Sequence, residues 1–108
     1  MCIRDRANSG HPVTPMALAP VTYVLWNEFM NYDPADPNWA ARDRFVLSCG
    51  HASMLQYSIM HLAGIKAVDE AGNVTDQLSI TLDNIRNFRQ LHSPCAGTRN
   101  LVKLQGLK

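Results

Sequence analysis

The stretch Arg42–Gly64, RDRFVLSCGHASMLQYSIMHLAG, joins three elements that decide how the chain folds. Within it, Arg44–Ser48 contains a phenylalanine and a valine, which favour strands, and is predicted to be a buried strand. A Cys-Gly-His turn follows, and Ala52–Ala63 is apolar on most sides, which predicts a packed helix that Gly64 ends. A strand, a glycine turn and a helix in this order bring free backbone N–H groups and the positive end of the helix dipole together. The arrangement favours an anion-binding site.

The turn carries the first candidate functional residue. His51 lies at the start of the helix, where its imidazole can donate a hydrogen bond to a phosphate or a hydroxyl. Ser53 either caps the helix or faces the same ligand. Cys49 is interpreted as a small buried hydrophobic residue rather than a nucleophile.

Length and composition restrict the class of protein. A chain of 108 residues with 46% hydrophobic residues has room for one small domain. Its net charge is +1 and charges of both signs are scattered, which argues against nucleic-acid binding. Three widely spaced cysteines indicate a reducing compartment, without a disulfide framework or a structural zinc site. The start, MCIRDR, lacks the apolar core of a secretion signal, and the apolar stretches are too interrupted for a membrane helix.

Four further segments are assigned from local patterns. A helix is predicted over Thr14–Tyr32, with the threonine as N-cap and a stripe of apolar residues at Leu18, Val21, Leu25, Phe29 and Tyr32. Because a second side is also apolar, this helix is expected to lie inside a larger body or at a subunit interface. Ile65–Leu78 is predicted to be a surface loop, and Thr81 is predicted to cap a helix over Leu82–Leu91. Thr98–Lys108 is either a short amphipathic helix or a frayed tail.

Two Gly-His pairs, at His11 and His51, each precede an apolar helix and are 40 residues apart. Together they are expected to line one anion-binding cleft. The blocks ANSGHP, PMxxAP, NYDP, RDRFVLSxGHxxMLQY and HLAG occur in that order. In this order they closely resemble the N-terminal part of transketolase, from Ala7 to about Gly97.

The resemblance implies an α/β fold: an incomplete N-terminal part of a parallel-sheet thiamine-diphosphate-binding domain, mostly helical with one clear strand. Residues 1–6 are an unassigned tail, 7–97 the transketolase-like segment and 98–108 a tail that does not match. Transketolases transfer a two-carbon ketol unit from a ketose phosphate to an aldose phosphate, using thiamine diphosphate and Mg (or Ca), as homodimers. The setting implied is sugar metabolism, the pentose phosphate pathway or the Calvin cycle, in the cytoplasm or the plastid stroma.

By motif position, His11 corresponds to the catalytic histidine that contacts substrate and assists proton transfer. His51 corresponds to the histidine beside the cofactor diphosphate and the donor hydroxyl, so it binds both cofactor and substrate. No metal ligand is assigned in this sequence, since the Gly-Asp-Gly segment that holds the metal in the family has no match. The chain alone is therefore expected to be inactive and to bind no cofactor. The alternative is a non-catalytic interaction fragment that keeps the apolar helix Thr14–Tyr32.

Departures from the family pattern are also informative. Val13 and Ala17 stand where the family usually has glycines, and a valine would be strained there if the position needed a positive φ. The family's third active-site histidine, in a Gly-His-Pro-Glu turn, has no counterpart after Gly97.

The remaining polar residues are interpreted as structural. His61 is expected to be a partly buried packing residue and His92 to face solvent. The aspartates Asp33, Asp36 and Asp43 lie in turns or beside arginines, so solvation or ion pairing accounts for them.

Overall fold

In a computed structural model of the chain, the structure describes residues 11–96. The predictions for Met1–Arg6, for the Ala7–Gly10 part of the first Gly-His loop and for Thr98–Lys108 lie outside these residues. The first element is helix α1, Val13–Val24, which continues into one π-helical turn, Leu25–Phe29. The amide of Met30 donates to the carbonyl of Leu25 at 2.9 Å and closes that turn. The helix therefore ends three residues before the predicted Tyr32.

The buried face of α1 differs from the predicted stripe. Thr22 and Trp26 are buried, whereas Val21 is 64% exposed and Phe29 is 69% exposed. The π-helical turn is wider than an α turn, so it shifts the following residues backwards around the axis. Met30 consequently packs against the core, and Phe29 turns towards solvent.

The prediction of a strand over Arg44–Ser48 is wrong. The segment is irregular, and Val46 is 86% exposed. Phe45 still packs edge-on against Trp26, with ring centroids 5.9 Å apart. Strand propensity measures fit to a sheet surface, and a sheet needs a neighbouring backbone for its hydrogen bonds. Among residues 11–96 no other segment pairs with this one.

The predicted loop Ile65–Leu78 is instead a β-hairpin, so that prediction is wrong. Strands β1, Lys66–Val68, and β2, Val74–Leu78, pair antiparallel, with an irregularity in the register between them. The turn is stabilised by Asp69, whose carboxylate accepts from the Asn73 amide at 2.8 Å. Gly72 adopts a φ of +90°, which glycine reaches without a steric cost.

Helix α2, Ser53–Leu62, follows a 3₁₀ turn over Gly50–Ala52 and confirms the central predicted helix. Gly64 has a φ of +72° and ends it, as predicted. Helix α3, Leu82–Arg86, begins with a capping box between Thr81 and Asn84, so the predicted cap is confirmed. The helix is shorter than predicted.

The core lies between α2, the π-helical turn and the segment that follows α3. The Tyr57 and Phe88 rings meet edge-on at 6.1 Å, and the Tyr57 hydroxyl donates to the Ala96 carbonyl at 2.9 Å. The buried cluster consists of Trp26, Tyr57, Met60, Ile80, Ile85, Phe88 and Cys95. Helices and strands are thus mixed as an α/β domain requires, although the sheet among residues 11–96 is an antiparallel hairpin rather than the parallel sheet predicted.

Candidate functional site

The two histidines of the Gly-His pairs lie side by side. The His11 and His51 ring centroids are 5.5 Å apart and the ring planes are inclined at 77°. His11 lies two residues before α1, and His51 lies in the 3₁₀ turn that leads into α2. Both side chains are exposed. Two helix starts therefore present two imidazoles to the same open surface.

Thr14 is a third member of this group, which the sequence did not reveal. Its Oγ1 lies 3.2 Å from Nε2 of His51, a hydrogen bond between residues 37 positions apart. The predicted role of Thr14 as N-cap is wrong, because α1 begins one residue earlier and Pro12 occupies the N-cap position without a side-chain bond. The available signal was weak: Thr14 follows His11 by only three residues, which keeps the two close along the chain.

The backbone contributes less to anion binding than the sequence suggested. The amides of Gly50, Ala52 and Ser53 donate to the carbonyls of Ser48, Cys49 and Gly50. The 3₁₀ turn thus uses amides that were expected to be free. Ser53 fills neither predicted role, since its side chain is fully buried and does not cap α2. The two imidazoles and the Thr14 hydroxyl are side-chain donors at this surface, aided by the positive ends of two helix dipoles.

Val13 and Ala17 both lie in α1 and are exposed. Positive φ values among the described residues occur at Arg89, His92, Gly64 and Gly72. Val13 therefore carries no backbone strain, because its position does not adopt a positive φ here.

The histidines and cysteines outside this surface have structural surroundings. His61 is half-buried, and its Nδ1 lies 2.8 Å from the Ile80 carbonyl, which confirms the packing role predicted for it. His92 is exposed, as predicted. Burial raises the pKa of the Cys95 thiol to about 12, which keeps it protonated and unreactive at neutral pH. Cys49 is half-buried and free.

The three aspartates accept hydrogen bonds from backbone amides, where solvation or ion pairing was predicted. Asp33 accepts from the Ala35 amide at 2.8 Å and Asp36 from the Asn38 amide at 3.1 Å. Asp43 accepts from the Asn31 amide at 2.8 Å. They do not form a catalytic carboxylate pair.

A cavity of about 210 Å³ lies between the π-helical turn, α2 and the hairpin. No histidine lines it, so it is separate from the surface formed by His11 and His51. Its walls are mainly apolar and include Trp26, Met30, Phe45, Met60, Ile65 and Val68. This cavity was not predictable from the sequence, because half of these residues belong to segments whose structure was predicted incorrectly.

The family model for the thiamine diphosphate-binding domain of transketolase matches residues 1–108, which is the whole chain. The chain belongs to the transketolase family. It is 48% identical over 93 residues to Transketolase 1 of Vibrio cholerae and to Transketolase 2 of Escherichia coli K12. It is 46% identical over the same length to the Transketolase of Geobacillus stearothermophilus. Each match covers 86% of this chain and 12% of the relative, so the chain spans about an eighth of the length of these transketolases.

The family match confirms the predicted resemblance and the fold class, part of a thiamine diphosphate-binding α/β domain. The boundaries at residues 6 and 97 stay predictions, as do the roles of His11 and His51. Residues 11–96 contain no group of three or more His, Cys, Asp or Glu side chains that could hold a metal ion. Across this same region, no helix is long and apolar enough to cross a membrane.

One observation indicates that the surface around His51 can accommodate a diphosphate group. Two imidazoles and two helix starts converge, and each neutral or charged imidazole can donate at least one N–H to a phosphate oxygen. Within residues 11–96, the hydrogen bond and the ring contact found at these imidazoles come from Thr14 and from the other histidine, and not from a carboxylate, which would repel a diphosphate.

Proposed function

We propose that this segment supplies two histidines to the active site of a transketolase. Such an enzyme transfers a two-carbon ketol unit from a ketose phosphate to an aldose phosphate, using thiamine diphosphate and a divalent metal. The observation that supports this proposal is the contact between His11 and His51, whose rings lie 5.5 Å apart although 40 residues separate them. Membership of the thiamine diphosphate-binding domain family supports the choice of cofactor.

The two histidines have different proposed roles. His51 donates a hydrogen bond to a diphosphate oxygen and contacts a hydroxyl of the donor sugar, because it lies at the start of α2. His11 binds substrate and moves a proton at the reacting carbon, a role suited to an imidazole because histidine changes charge near neutral pH. Thiamine diphosphate, when bound, supplies the carbanion stabilisation that lets a bond beside a carbonyl break.

The divalent ion, Mg or Ca, is proposed to bind through the cofactor and through residues beyond those described. Both ions prefer oxygen ligands in groups, and residues 11–96 provide no such group. We therefore expect no saturable binding when this chain is titrated with thiamine diphosphate and magnesium in a calorimeter. Binding in the micromolar range would contradict this expectation.

The proposed assembly is a homodimer that acts on sugar phosphates in the pentose phosphate pathway or the Calvin cycle, in the cytoplasm or the plastid stroma. Helix α1 and its π-helical turn expose a set of large apolar side chains, which supports an interface: Val13, Met16, Val21, Tyr23, Val24 and Phe29. The same exposed set favours the second candidate function, a non-catalytic fragment that binds another chain. The homodimer interface predicts self-association, and a sharp monomeric peak in light scattering would contradict it.

A measurement of transketolase turnover distinguishes the two candidate functions, an active-site segment and a non-catalytic interaction fragment. In a complete transketolase that carries residues 11–96 in place of its own segment, replacing both His11 and His51 by alanine should abolish turnover. The matched control is His92→Ala, an exposed histidine away from the pair, which should leave turnover unchanged. Full activity of the double variant would favour the interaction fragment.

A further inference from the structure

We infer that Thr14 is a positioning residue that fixes the ring orientation and the tautomer of His51. The inference rests on the proposed function of His51 as a donor to phosphate, and it adds a residue to that site. Its starting observation is the 3.2 Å separation between Thr14 Oγ1 and His51 Nε2. This is the hydrogen bond that the structure gives the imidazole of His51 within residues 11–96.

The surroundings of Thr14 suit it to hold another side chain still. It lies in the first turn of α1 and is half-buried, whereas His51 is exposed and needs support to keep one orientation. Threonine is branched at Cβ, which restricts its χ1 rotamers and therefore the directions in which its hydroxyl can point. That hydroxyl does not cap α1, which leaves it available to the neighbouring loop.

The bond determines which ring nitrogen is left for a ligand. A hydroxyl can donate or accept, and a neutral imidazole has one N–H donor and one bare acceptor nitrogen. When the Thr14 hydroxyl donates to Nε2, the ring proton must be on Nδ1. Nδ1 then becomes the donor towards a phosphate oxygen, as the proposed role of His51 requires. Neutral histidine in water prefers the opposite tautomer, with the proton on Nε2. An effect of Thr14 on His51 should therefore be detectable as a change of tautomer.

The test is the tautomer of His51, read from ring ¹⁵N shifts and couplings in the uniformly labelled chain without any ligand. The pH is set to about 8.5, above the ordinary histidine pKa of about 6.5, so that neutral rings predominate. The His51 signals are assigned by comparison with His51→Gln. Wild type and Thr14→Ser should show mainly the Nδ1–H form, while Thr14→Val, which keeps the branched shape, should move to the Nε2–H form.

His61 is the internal control for folding. The Ile80 carbonyl accepts from its Nδ1 at 2.8 Å, so His61 should remain in the Nδ1–H form in every variant. The inference is overturned if wild-type His51 is mainly Nε2–H, if Thr14→Val leaves its tautomer unchanged, or if the wild-type ring gives the averaged signals of an unfolded chain.

A second measurement separates this inference from the proposed function. In the complete transketolase carrying this segment, Thr14→Val should raise the KM for thiamine diphosphate roughly three- to tenfold with little change in kcat, and Thr14→Ser should restore it. If the tautomer result holds but neither Thr14→Val nor His51→Ala changes cofactor affinity, Thr14 positions His51 and the assigned role of His51 is wrong. If the KM rises while the tautomer does not change, the positioning role is wrong and the proposed function stands.

Discussion

The two ends of helix α2 each carry a histidine, but the two side chains have different surroundings. At the start, His51 is exposed, lies edge-on to His11 and bonds to the hydroxyl of Thr14. At the end, His61 is half-buried and bonds to the carbonyl of Ile80. A backbone carbonyl can only accept, so Nδ1 of His61 donates to it, whereas the bond to Thr14 leaves the donor and acceptor roles open. Each ring keeps one nitrogen outside these bonds, so exposure rather than residue type makes His51, and not the half-buried His61, the candidate for binding.

The largest expected effect is at the pair His11 and His51, in a complete transketolase carrying this segment. His11→Ala should lower turnover by about 10²–10⁴-fold with cofactor affinity near normal, because a positioned acid–base group is lost. His51→Ala should weaken cofactor binding roughly ten- to hundredfold, because a bond to a charged phosphate is lost. Steady-state rates and cofactor titrations of both variants, measured together, check this. If His11→Ala abolished cofactor binding and His51→Ala did not, the two roles would be reversed.

Next in size is the loss of packing against the middle of α2. Phe88→Ala should lower the free energy of unfolding by about 3–5 kcal/mol, because Phe88 is fully buried and contacts the Tyr57 ring. Leu91→Ala is the matched control, since Leu91 is 87% exposed, and it should change stability by no more than about 0.5 kcal/mol. Urea denaturation of the chain measures both. Equal effects of the two substitutions would mean that the described core is not the stabilising one.

A smaller effect is expected for His61 itself. His61→Ala should destabilise the chain by about 1–3 kcal/mol, because it leaves the buried Ile80 carbonyl without its donor. His92→Ala serves as the exposed comparison and should be close to neutral. Thermal denaturation followed by circular dichroism is sufficient. A silent His61→Ala would remove the contrast between the two ends of α2.

The last effect is absent at neutral pH and appears only in alkaline solution, as a loss of folding stability. Burial, with a contribution from Cys95, raises the pKa of Tyr57 to about 12, and burial raises that of Cys95 to about 12. In the unfolded chain these groups lose their protons near pH 10 and 9, their ordinary values. The folded chain holds protons that the unfolded chain has released, so stability is unaffected below about pH 9 and falls as the pH rises towards 12.

Tyr57→Phe tests this alkaline loss, because it removes one of the two groups. The slope of unfolding free energy against pH should become shallower between pH 10 and 12, whatever the change at neutral pH from losing the bond to Ala96. An unchanged slope would contradict the buried setting of the Tyr57 hydroxyl.

Local signals predicted some elements well. Helix α2 was predictable from its apolar sequence and from Gly64, whose positive φ ends it. The start of α3 was predictable because the bond from the Asn84 amide to Thr81 spans only three residues. The proximity of His11 to His51 was expected because each precedes an apolar helix, and two packed helices bring their starting turns together when both begin at the same end of the pair.

Elements that depend on distant partners were not predictable in this way. Arg44–Ser48 has strand propensity but no neighbouring strand among residues 11–96, and the hairpin is polar enough to resemble a loop. The π-helical turn changed which residues of α1 are buried, since a period of 3.6 does not anticipate it. Thr14 was missed for a similar reason, because its partner lies 37 residues away.

The hairpin also has a consequence for the order in which the chain folds. Its turn bonds join Asp69 and Asn73, four residues apart, and such hairpins form in roughly 1–10 μs. The bond from Tyr57 to Ala96 instead closes a loop of 39 residues and forms more slowly, because the entropy of closing a longer loop must be overcome first. We therefore expect pulse-labelled hydrogen exchange during refolding to protect the β1–β2 amides before those that follow α3. Simultaneous protection would indicate that the whole described region folds in one step.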